Sequence, residues 1–114
     1  MSNDTTPNDD DGQWHDVAEL SQLDPAFPLG VEIDGTQVGI YQDGDRIHAL
    51  EDICPHAFAL MSQGFQEDGI IECPLHGARF EIATGKHLNE IGQRDLKCHA
   101  VRVENGRVCV KLAR

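Results

Sequence analysis

The sequence predicts an all-β domain, either a sandwich or a barrel. Four Asp-Gly or Asn-Gly pairs interrupt the chain, at residues 34–35, 43–44, 68–69 and 105–106. Such pairs supply the positive φ angles that tight hairpin turns require. Short apolar or alternating runs flank each pair, whereas no stretch sustains a helical period. Residues 18–23, AELSQL, are where we expect a short helical turn.

The last hairpin can be assigned a register from its turn. If residues 105–106 form a two-residue loop, Val103 faces Val108 across the hairpin. A slip of one residue would turn every valine to the other side, so one face is expected to be buried. That face contains Val101, Val103, Val108, Val110 and Leu112. Cys98 and Cys109 do not face each other in this register, so we predict no disulfide between them and treat both as inert side chains.

The chain length of 114 residues suits one domain. Residues 1–12 are rich in Asp, Asn and Thr, which predicts a disordered acidic tail and a domain spanning residues 13–114. No apolar run is long enough to cross a bilayer, and the N-terminus lacks a basic-then-apolar signal. We therefore expect a cytoplasmic protein with no membrane partner.

The charge balance narrows the class of partner. The formal net charge is −11, from 20 acidic and nine basic residues. Nucleic acid is not expected as a partner, because its phosphates repel such a surface. An acidic surface instead favours basic patches on other proteins.

Two short motifs carry the metal chemistry. In CPH, Cys54 and His56 stand one residue apart; in CPLHG, Cys73 and His76 stand two residues apart; and sixteen residues separate the motifs. Cysteines near histidines in a chain without secretion signals indicate metal rather than disulfides. One Zn²⁺ ion would take all four donors. A [2Fe-2S] cluster would take both thiolates on one iron and both imidazoles on the other, which raises its reduction potential over that of an all-cysteine cluster.

With these motifs, the chain resembles the Rieske-type ferredoxins of bacterial aromatic-ring-hydroxylating dioxygenase systems, over about residues 14–112. The resemblance implies a Rieske-type antiparallel β-sandwich with a small cluster-binding subdomain formed by two loops. It implies one [2Fe-2S] cluster per chain, with Cys54 and Cys73 on the inner iron and His56 and His76 on the outer iron. The implied function is one-electron transfer from an NAD(P)H-dependent flavoprotein reductase to a terminal Rieske oxygenase in aromatic hydrocarbon catabolism, by a monomer.

Several positions differ from those of respiratory Rieske proteins. Ala59 and Leu75 stand where those proteins carry one additional cysteine in each ligand loop, and those two cysteines form a disulfide with each other. Ala78 and Phe80 stand where they carry hydroxyl groups close to the cluster sulfurs. We therefore expect a low potential, about −150 mV. The covering loop at residues 89–96 lacks the proline usual in the family, which predicts a more mobile cover.

The chain is not expected to be an enzyme acting alone. The 38 residues that follow His76 are too few for the mononuclear-iron domain of a Rieske oxygenase. The histidines left outside the motifs are interpreted as ordinary surface or half-buried residues: His15, His48, His87 and His99. Two alternatives stay open, a small Rieske subunit of a nitrite reductase and a zinc-stabilised interaction module.

Packing roles are predicted for several residues near the first motif. Trp14 is expected to anchor the first strand against the core. Four residues are expected to pack behind or beside the first ligand loop, namely Phe58, Leu60, Met61 and Phe65. Phe58 or Leu60 is alternatively a contact on a docking surface. That surface, at the tip bearing His56 and His76, is expected to be ringed by acidic residues, among them Glu51, Asp52 and Glu67.

Overall fold

Nine strands and three short 3₁₀ helices form the computed structural model, which describes residues 10–55, 58–92 and 94–113. The strands are β1 (Asp10–Glu19), β2 (Leu29–Ile33), β3 (Thr36–Asp43), β4 (Arg46–Glu51), β5 (Phe65–Glu67), β6 (Ile70–Glu72), β7 (Arg79–Glu81), β8 (Cys98–Glu104) and β9 (Arg107–Ala113). The 3₁₀ helices are η1 (Leu20–Gln22), η2 (Met61–Gln63) and η3 (Glu90–Gly92). The first of these is the helical turn predicted for residues 18–23.

The strands form two antiparallel sheets. The larger has the order β1-β9-β8-β4-β3-β2, and the smaller has the order β5-β6-β7. No α-helix occurs in the described part of the chain, so the all-β prediction is confirmed. Nor do the described residues include a helix long and apolar enough to span a membrane.

Three of the four predicted turns use the expected residues. Both members of the pairs at residues 34–35, 68–69 and 105–106 have positive φ angles, as a type I′ turn requires. The prediction was off by one residue at the second turn. There Asp43 ends β3 and pairs with Arg46, so Gly44 and Asp45 form the loop. Only Gly44 has a positive φ angle, 65°, because a type II′ turn needs one at its first position alone.

The last hairpin has the predicted register. Val103 pairs with Val108, and Arg102 pairs with Cys109. Val108, Val110 and Leu112 are buried and Val101 is half-buried, but Val103 is 43% exposed, contrary to prediction. Strand β4 pairs with β8 only at His99 and Cys98, so the tip of the hairpin extends beyond this pairing and Val103 is left partly exposed.

Two buried clusters lie on opposite sides of the larger sheet. Alternate residues of a strand point to opposite faces, so Ile40 of β3 lies in one cluster and Tyr41 in the other. The first cluster joins Ile40 to Val108 and Val110 of the last hairpin. The second joins Tyr41 to the smaller sheet and the loops around it. The fold therefore holds those loops against the outer face of β3 and β4.

The N-terminal region differs from the prediction in two respects. Strand β1 begins at Asp10, which pairs with Ala113, so residues 10–12 belong to an edge strand rather than to the predicted tail. Backbone pairing alone supports such a strand, whatever its polar side chains. Residues 1–9 lie outside the described residues. Trp14 is half-buried and is not in either core cluster.

Trp14 packs between two cations instead of against the core. The Arg102 guanidinium and the Lys111 ammonium lie 4.4 Å and 4.7 Å from its ring centroid. Lys111 pairs with Trp14 across the β1–β9 ladder and is only 4% exposed. The indole therefore covers the stem and charge of Lys111 by cation–π contact.

Candidate metal centre

The second ligand loop connects β6 to β7. Cys73 directly follows β6, and its N–H donates to the carbonyl of Ala78 at 2.8 Å. The N–H of Gly77 donates back to the carbonyl of Cys73 at 3.3 Å, and Gly77 has a φ angle of 76°, which an L side chain rarely adopts. This tight turn buries Cys73 to 1% exposure and leaves His76 exposed.

The first ligand loop lies between the end of β4 and η2. An isolated bridge pairs Ile53 with Leu60, and the N–H of Cys54 donates to the carbonyl of Ala59 at 2.9 Å. Cys54 is therefore held at the base of the loop and is 3% exposed. The predicted ligand His56 lies outside the described residues.

The two motif cysteines belong to the same cluster of buried residues. Neither Cys54 nor Cys73 is in a disulfide, and both belong to the cluster that contains Ala78 and Phe80. Ala78 and Phe80 are fully buried, so methyl and phenyl groups occupy the two positions where hydroxyls were considered. Two thiol donors thus lie inside the protein, and the imidazole of His76 lies at the surface. Among described side chains, no three His, Cys, Asp or Glu residues are grouped to hold a single metal ion.

A buried carboxylate closes the first ligand loop. Ser62 donates its N–H to Oδ1 and its hydroxyl to Oδ2 of Asp52, both at 2.7 Å. The carbonyl of Asp52 also accepts the N–H of Met61 at 2.7 Å. Burial raises the pKa of Asp52, and the hydrogen bonds from Ser62 oppose that rise. Asp52 is fully buried, so its predicted place in an exposed acidic ring is wrong.

Two glycines form a surface without side chains, here called the seat, against which this carboxylate packs. Gly30 and Gly39 are direct partners in the β2–β3 ladder. A Cβ on Gly39 would lie 2.8 Å from Oδ1 of Asp52, and one on Gly30 would lie 2.6 Å from Oγ of Ser62. The missing side chains therefore let Asp52 and Ser62 rest directly on the larger sheet, with the hydroxyl of Tyr41 beside them. Burial first, and the charge of Asp52 second, raise the pKa of Tyr41 well above its usual value.

The protein-family model for the Rieske [2Fe-2S] domain matches residues 13–100. The chain belongs to this family. Among curated relatives, the ferredoxin component of the naphthalene 1,2-dioxygenase/salicylate 5-hydroxylase systems of a Ralstonia species is 38% identical over 87% of this chain and 95% of its own. The ferredoxin component of the naphthalene 1,2-dioxygenase system of Pseudomonas putida is 36% identical over 89% of this chain and 97% of its own.

Solved Rieske structures have the same fold. The ferredoxin of carbazole 1,9a-dioxygenase from Nocardioides aromaticivorans IC177 is 32% identical, with a TM-score of 0.82 over 87% of this chain and 97% of its own. A chain in the complex of reduced oxygenase and oxidized ferredoxin in carbazole 1,9a-dioxygenase has a TM-score of 0.81 and 32% identity, covering 86% of this chain and 92% of that one. A putative NADH-dependent nitrite reductase small subunit from Mycobacterium tuberculosis is less similar, with a TM-score of 0.76 and 26% identity over 90% of this chain and 95% of that one.

These relatives confirm the predicted Rieske-type β fold, the [2Fe-2S] cofactor and the electron-carrier role. They are ferredoxin components and not the oxygenases, as expected for a chain that is not itself an enzyme. The donor set fits the cofactor, because two enclosed thiols and a surface imidazole suit an inner and an outer iron. The zinc alternative has no support in this family.

Three of the remaining histidines and cysteines make hydrogen bonds or ion pairs with residues outside the two motifs. Nδ1 of His99 accepts the N–H of Ala113 at 2.9 Å, and His87 pairs with Asp95. The thiol of Cys98 donates to the carbonyl of Thr84 at 2.9 Å. His15, His48 and His87 are half-buried, as predicted, but His99 is buried at 7% exposure, contrary to prediction.

The apolar residues near the first ligand loop are only partly as predicted. Met61 is fully buried and Leu60 is half-buried, but Phe58 is fully exposed and Phe65 is 65% exposed. Phe58 lines a shallow cavity of about 240 Å³, whose walls are Ile53, Phe58, Ala59, Leu60 and Gln63. The exposure of Phe58 agrees with the alternative interpretation of this residue as a docking contact and not with packing behind the loop.

Hydrogen bonds and an ion pair connect the covering loop to other parts of the domain, and its predicted mobility stays a prediction. We call the described residues of this segment, 88–92 and 94–97, the strap. Asn89 of the strap donates from Nδ2 to the carbonyl of Gly77 at 3.0 Å, and Arg94 binds Glu51 through both Nη atoms. Leu96 is buried in the same cluster as the motif cysteines. Contacts between residues far apart in the sequence thus hold this loop, which lacks the usual proline.

Proposed function

We propose that this chain carries single electrons from an NAD(P)H-dependent flavoprotein reductase to the terminal Rieske oxygenase of an aromatic-ring dioxygenase system. One observation supports this most directly: two hairpin loops bury Cys54 and Cys73 together while His76 remains at the surface. Such a centre can exchange electrons at the surface without exposing its sulfur ligands to solvent. The similarity to ferredoxin components of naphthalene dioxygenase systems supports the same conclusion.

The proposed ligand set is Cys54 and Cys73 for the inner iron and His56 and His76 for the outer iron. The burial of both thiols and the exposure of His76 support this assignment. The bound cluster supplies a one-electron couple. The loops keep water from the thiolates and present an imidazole edge to a partner. Because Ala78 and Phe80 offer no hydroxyl donors, the proposal includes a potential near the low end of the Rieske range, about −150 mV.

The docking surface that we propose is an apolar tip, formed by Ile53, Phe58 and Leu75 of the two ligand loops. Their exposed fractions are 42%, 101% and 57%. Apolar groups exposed beside a redox centre are suited to a partner that excludes water there. The ferredoxin–oxygenase complex of the carbazole system supports an oxygenase as one partner.

The proposed docking surface also includes acidic side chains that lie outside the apolar tip. The net charge of −11 favours basic partner surfaces and faster association at low salt. Of the predicted ring, Glu67 is exposed, whereas Glu51 is half-buried and paired with Arg94. A monomeric state and a cytoplasmic location are part of the proposal, and the absence of disulfides among the four cysteines, all of them described, fits a reducing compartment.

The test uses purified reductase and oxygenase from the naphthalene dioxygenase system of Pseudomonas putida. We expect NADH-dependent reduction of this chain by the reductase, followed by its reoxidation when the substrate-loaded oxygenase is added. The native ferredoxin is the positive control, and Cys54→Ser with Cys73→Ser is the matched negative control. Stable co-purification with a nitrite reductase subunit, together with no reoxidation by any Rieske oxygenase, would instead establish the small-subunit alternative.

A further inference from the structure

The strap is tied to the second ligand loop through Asn89. Its Nδ2 donates to the carbonyl of Gly77 at 3.0 Å, and its Oδ1 accepts the N–H of Arg79 at 3.3 Å. The N–H of Leu88 also donates to the carbonyl of Arg79 at 2.7 Å. One side-chain amide therefore fixes this end of the strap to the loop that carries Cys73 and His76.

The other end of the strap is tied to the strand that leads into the first ligand loop. Arg94 donates from Nη1 to Oε1 of Glu51 at 2.9 Å and from Nη2 to Oε2 at 2.7 Å. Lys97 donates its N–H to Oε1 of Glu51 at 3.0 Å and accepts the N–H of Glu51 at 2.8 Å. Glu51 ends β4, three positions before Cys54. A forked pair of this kind fixes orientation as well as distance.

The protonation equilibria of this pair agree with the contacts. Burial raises the pKa of Glu51, but the hydrogen bonds from Arg94 and Lys97 outweigh it, so its pKa is lowered overall. The bond to Glu51 is the main cause of the raised pKa of Arg94, and the charge of Cys54 adds a smaller part. Because Glu51 lies three residues before Cys54, their Cα atoms are at most about 11 Å apart, which places the pair near the proposed inner ligand.

We propose that Glu51 and Arg94 are a positioning pair, which clamps the strap to the end of β4, just before the first ligand loop, and balances two opposite charges near the cluster. This inference rests on the proposed ligand set. A cation near the cluster favours the reduced form, which carries one more electron, and an anion disfavours it. With both present, their effects largely cancel, and removing one leaves the other unbalanced.

The test measures the reduction potential of the isolated protein in three variants. Arg94→Gln is expected to lower the potential, because Glu51 is left unpaired. Glu51→Gln is expected to raise it. The double variant is expected to fall between the two single variants, close to the parent. The shifts will be modest and larger at low salt, since the Arg94 side chain is 55% exposed and water screens its charge.

Two further variants separate charge from clamping. Arg94→Lys keeps the charge but loses the fork, so we expect a nearly unchanged potential with faster amide hydrogen exchange at Leu96 and Lys97. Arg107→Gln is the matched control, because it breaks a surface pair of the same type, with Asp16 at 2.7 Å, on the β1–β9 edge. It is expected to leave both the potential and strap exchange unchanged.

Unchanged potentials in both single variants would overturn the charge-balancing role, and unchanged strap exchange in Arg94→Lys and Arg94→Gln would overturn the clamp. Iron and sulfide content is measured in every variant and is expected to match the parent, because neither residue is a proposed ligand. No partner protein takes part in these measurements. A failure to reduce an oxygenase would therefore contradict the proposed function alone, and unshifted potentials would contradict this inference alone.

Discussion

Gly30 lies directly opposite Gly39 in the β2–β3 ladder, and the space above them holds the side chains that close the first ligand loop. Oδ1 of Asp52 lies 2.8 Å from the position of a Cβ on Gly39. That distance is shorter than ordinary van der Waals contact, so a methyl group there must displace the carboxylate. The position of Cys54 thus depends on a strand residue that touches no metal.

We predict that Gly39→Ala destabilises the cluster-loaded protein by about 1–3 kcal/mol, the usual cost of overpacking. The displaced Asp52 would also lose part of its bonding to Ser62, which loosens the loop that holds Cys54. Thermal unfolding and the rate of iron loss to a chelator measure the two effects. Ala100→Val is the control, because it adds bulk at an exposed strand position. Iron retention equal to that of the parent would show that the seat does not position the loop.

The exposed ring of Phe58 leads to a prediction about partner binding. Phe58→Ala is expected to weaken docking to the oxygenase by about tenfold, as an apolar contact at the centre of an interface does. Its reduction potential should stay unchanged, because the side chain is fully exposed and Phe58 is not a proposed ligand. Single-turnover reoxidation at varied oxygenase concentration measures this. Val103→Ala, at the distant hairpin tip, should behave like the parent; equal losses in both variants would refute a specific docking surface.

The thiol of Cys98 should react slowly with alkylating reagents. Burial of the thiol, and secondarily the charge of Asp95, raise its pKa above the usual value of 9.0. Its hydrogen bond to Thr84 is made by the protonated form. Because the pKa of this thiol is higher in the folded chain than in the unfolded chain, the protonated thiol stabilises the fold. This stabilisation is complete at pH values below the pKa of the unfolded chain, and it is lost as the pH rises through the pKa of the folded chain. Alkylation followed by mass spectrometry from pH 7 to pH 10 should show Cys98 lagging a model thiol, and a rate equal to that of the model thiol would contradict the prediction.

Replacing an imidazole ligand by a thiolate tests the charge argument for the potential. His56→Cys is expected to lower the reduction potential markedly, because a neutral ligand becomes anionic and disfavours an added electron. His76→Cys should shift the potential in the same direction if both imidazoles bind the outer iron. Cyclic voltammetry checks both variants, with His15→Cys as a control at a non-ligand site. No downward shift in either ligand variant would refute the argument.

Local features of this protein were readable from the sequence, because each depends on residues close together in the chain. The turns at residues 34–35, 68–69 and 105–106 follow from the φ preferences of Asn, Asp and Gly. The register of the last hairpin follows from its turn. The two ligand motifs are short enough to recognise by spacing alone.

Features that depend on distant pairing were not readable. The exposure of Val103 follows from where the β4–β8 pairing stops, at His99, and the burial of Asp52 is set by Ser62 and by two glycines on other strands. Glu51 and Arg94 are 43 positions apart, so neither residue predicts the other. In each case the sequence contains the residues, but only the assembled sheet brings them together.

The proposed electron-carrier function depends most on one two-iron cluster being bound by two nitrogen and two sulfur ligands. Low-temperature EPR with nitrogen hyperfine measurement, on dithionite-reduced protein labelled with ¹⁵N-histidine, tests this most directly. We predict two irons and two sulfides per chain and a reduced-cluster signal coupled to two histidine nitrogens, with one coupling lost in His56→Cys and the other in His76→Cys. A signal without histidine coupling, or a colourless protein that holds one zinc ion, would contradict the account.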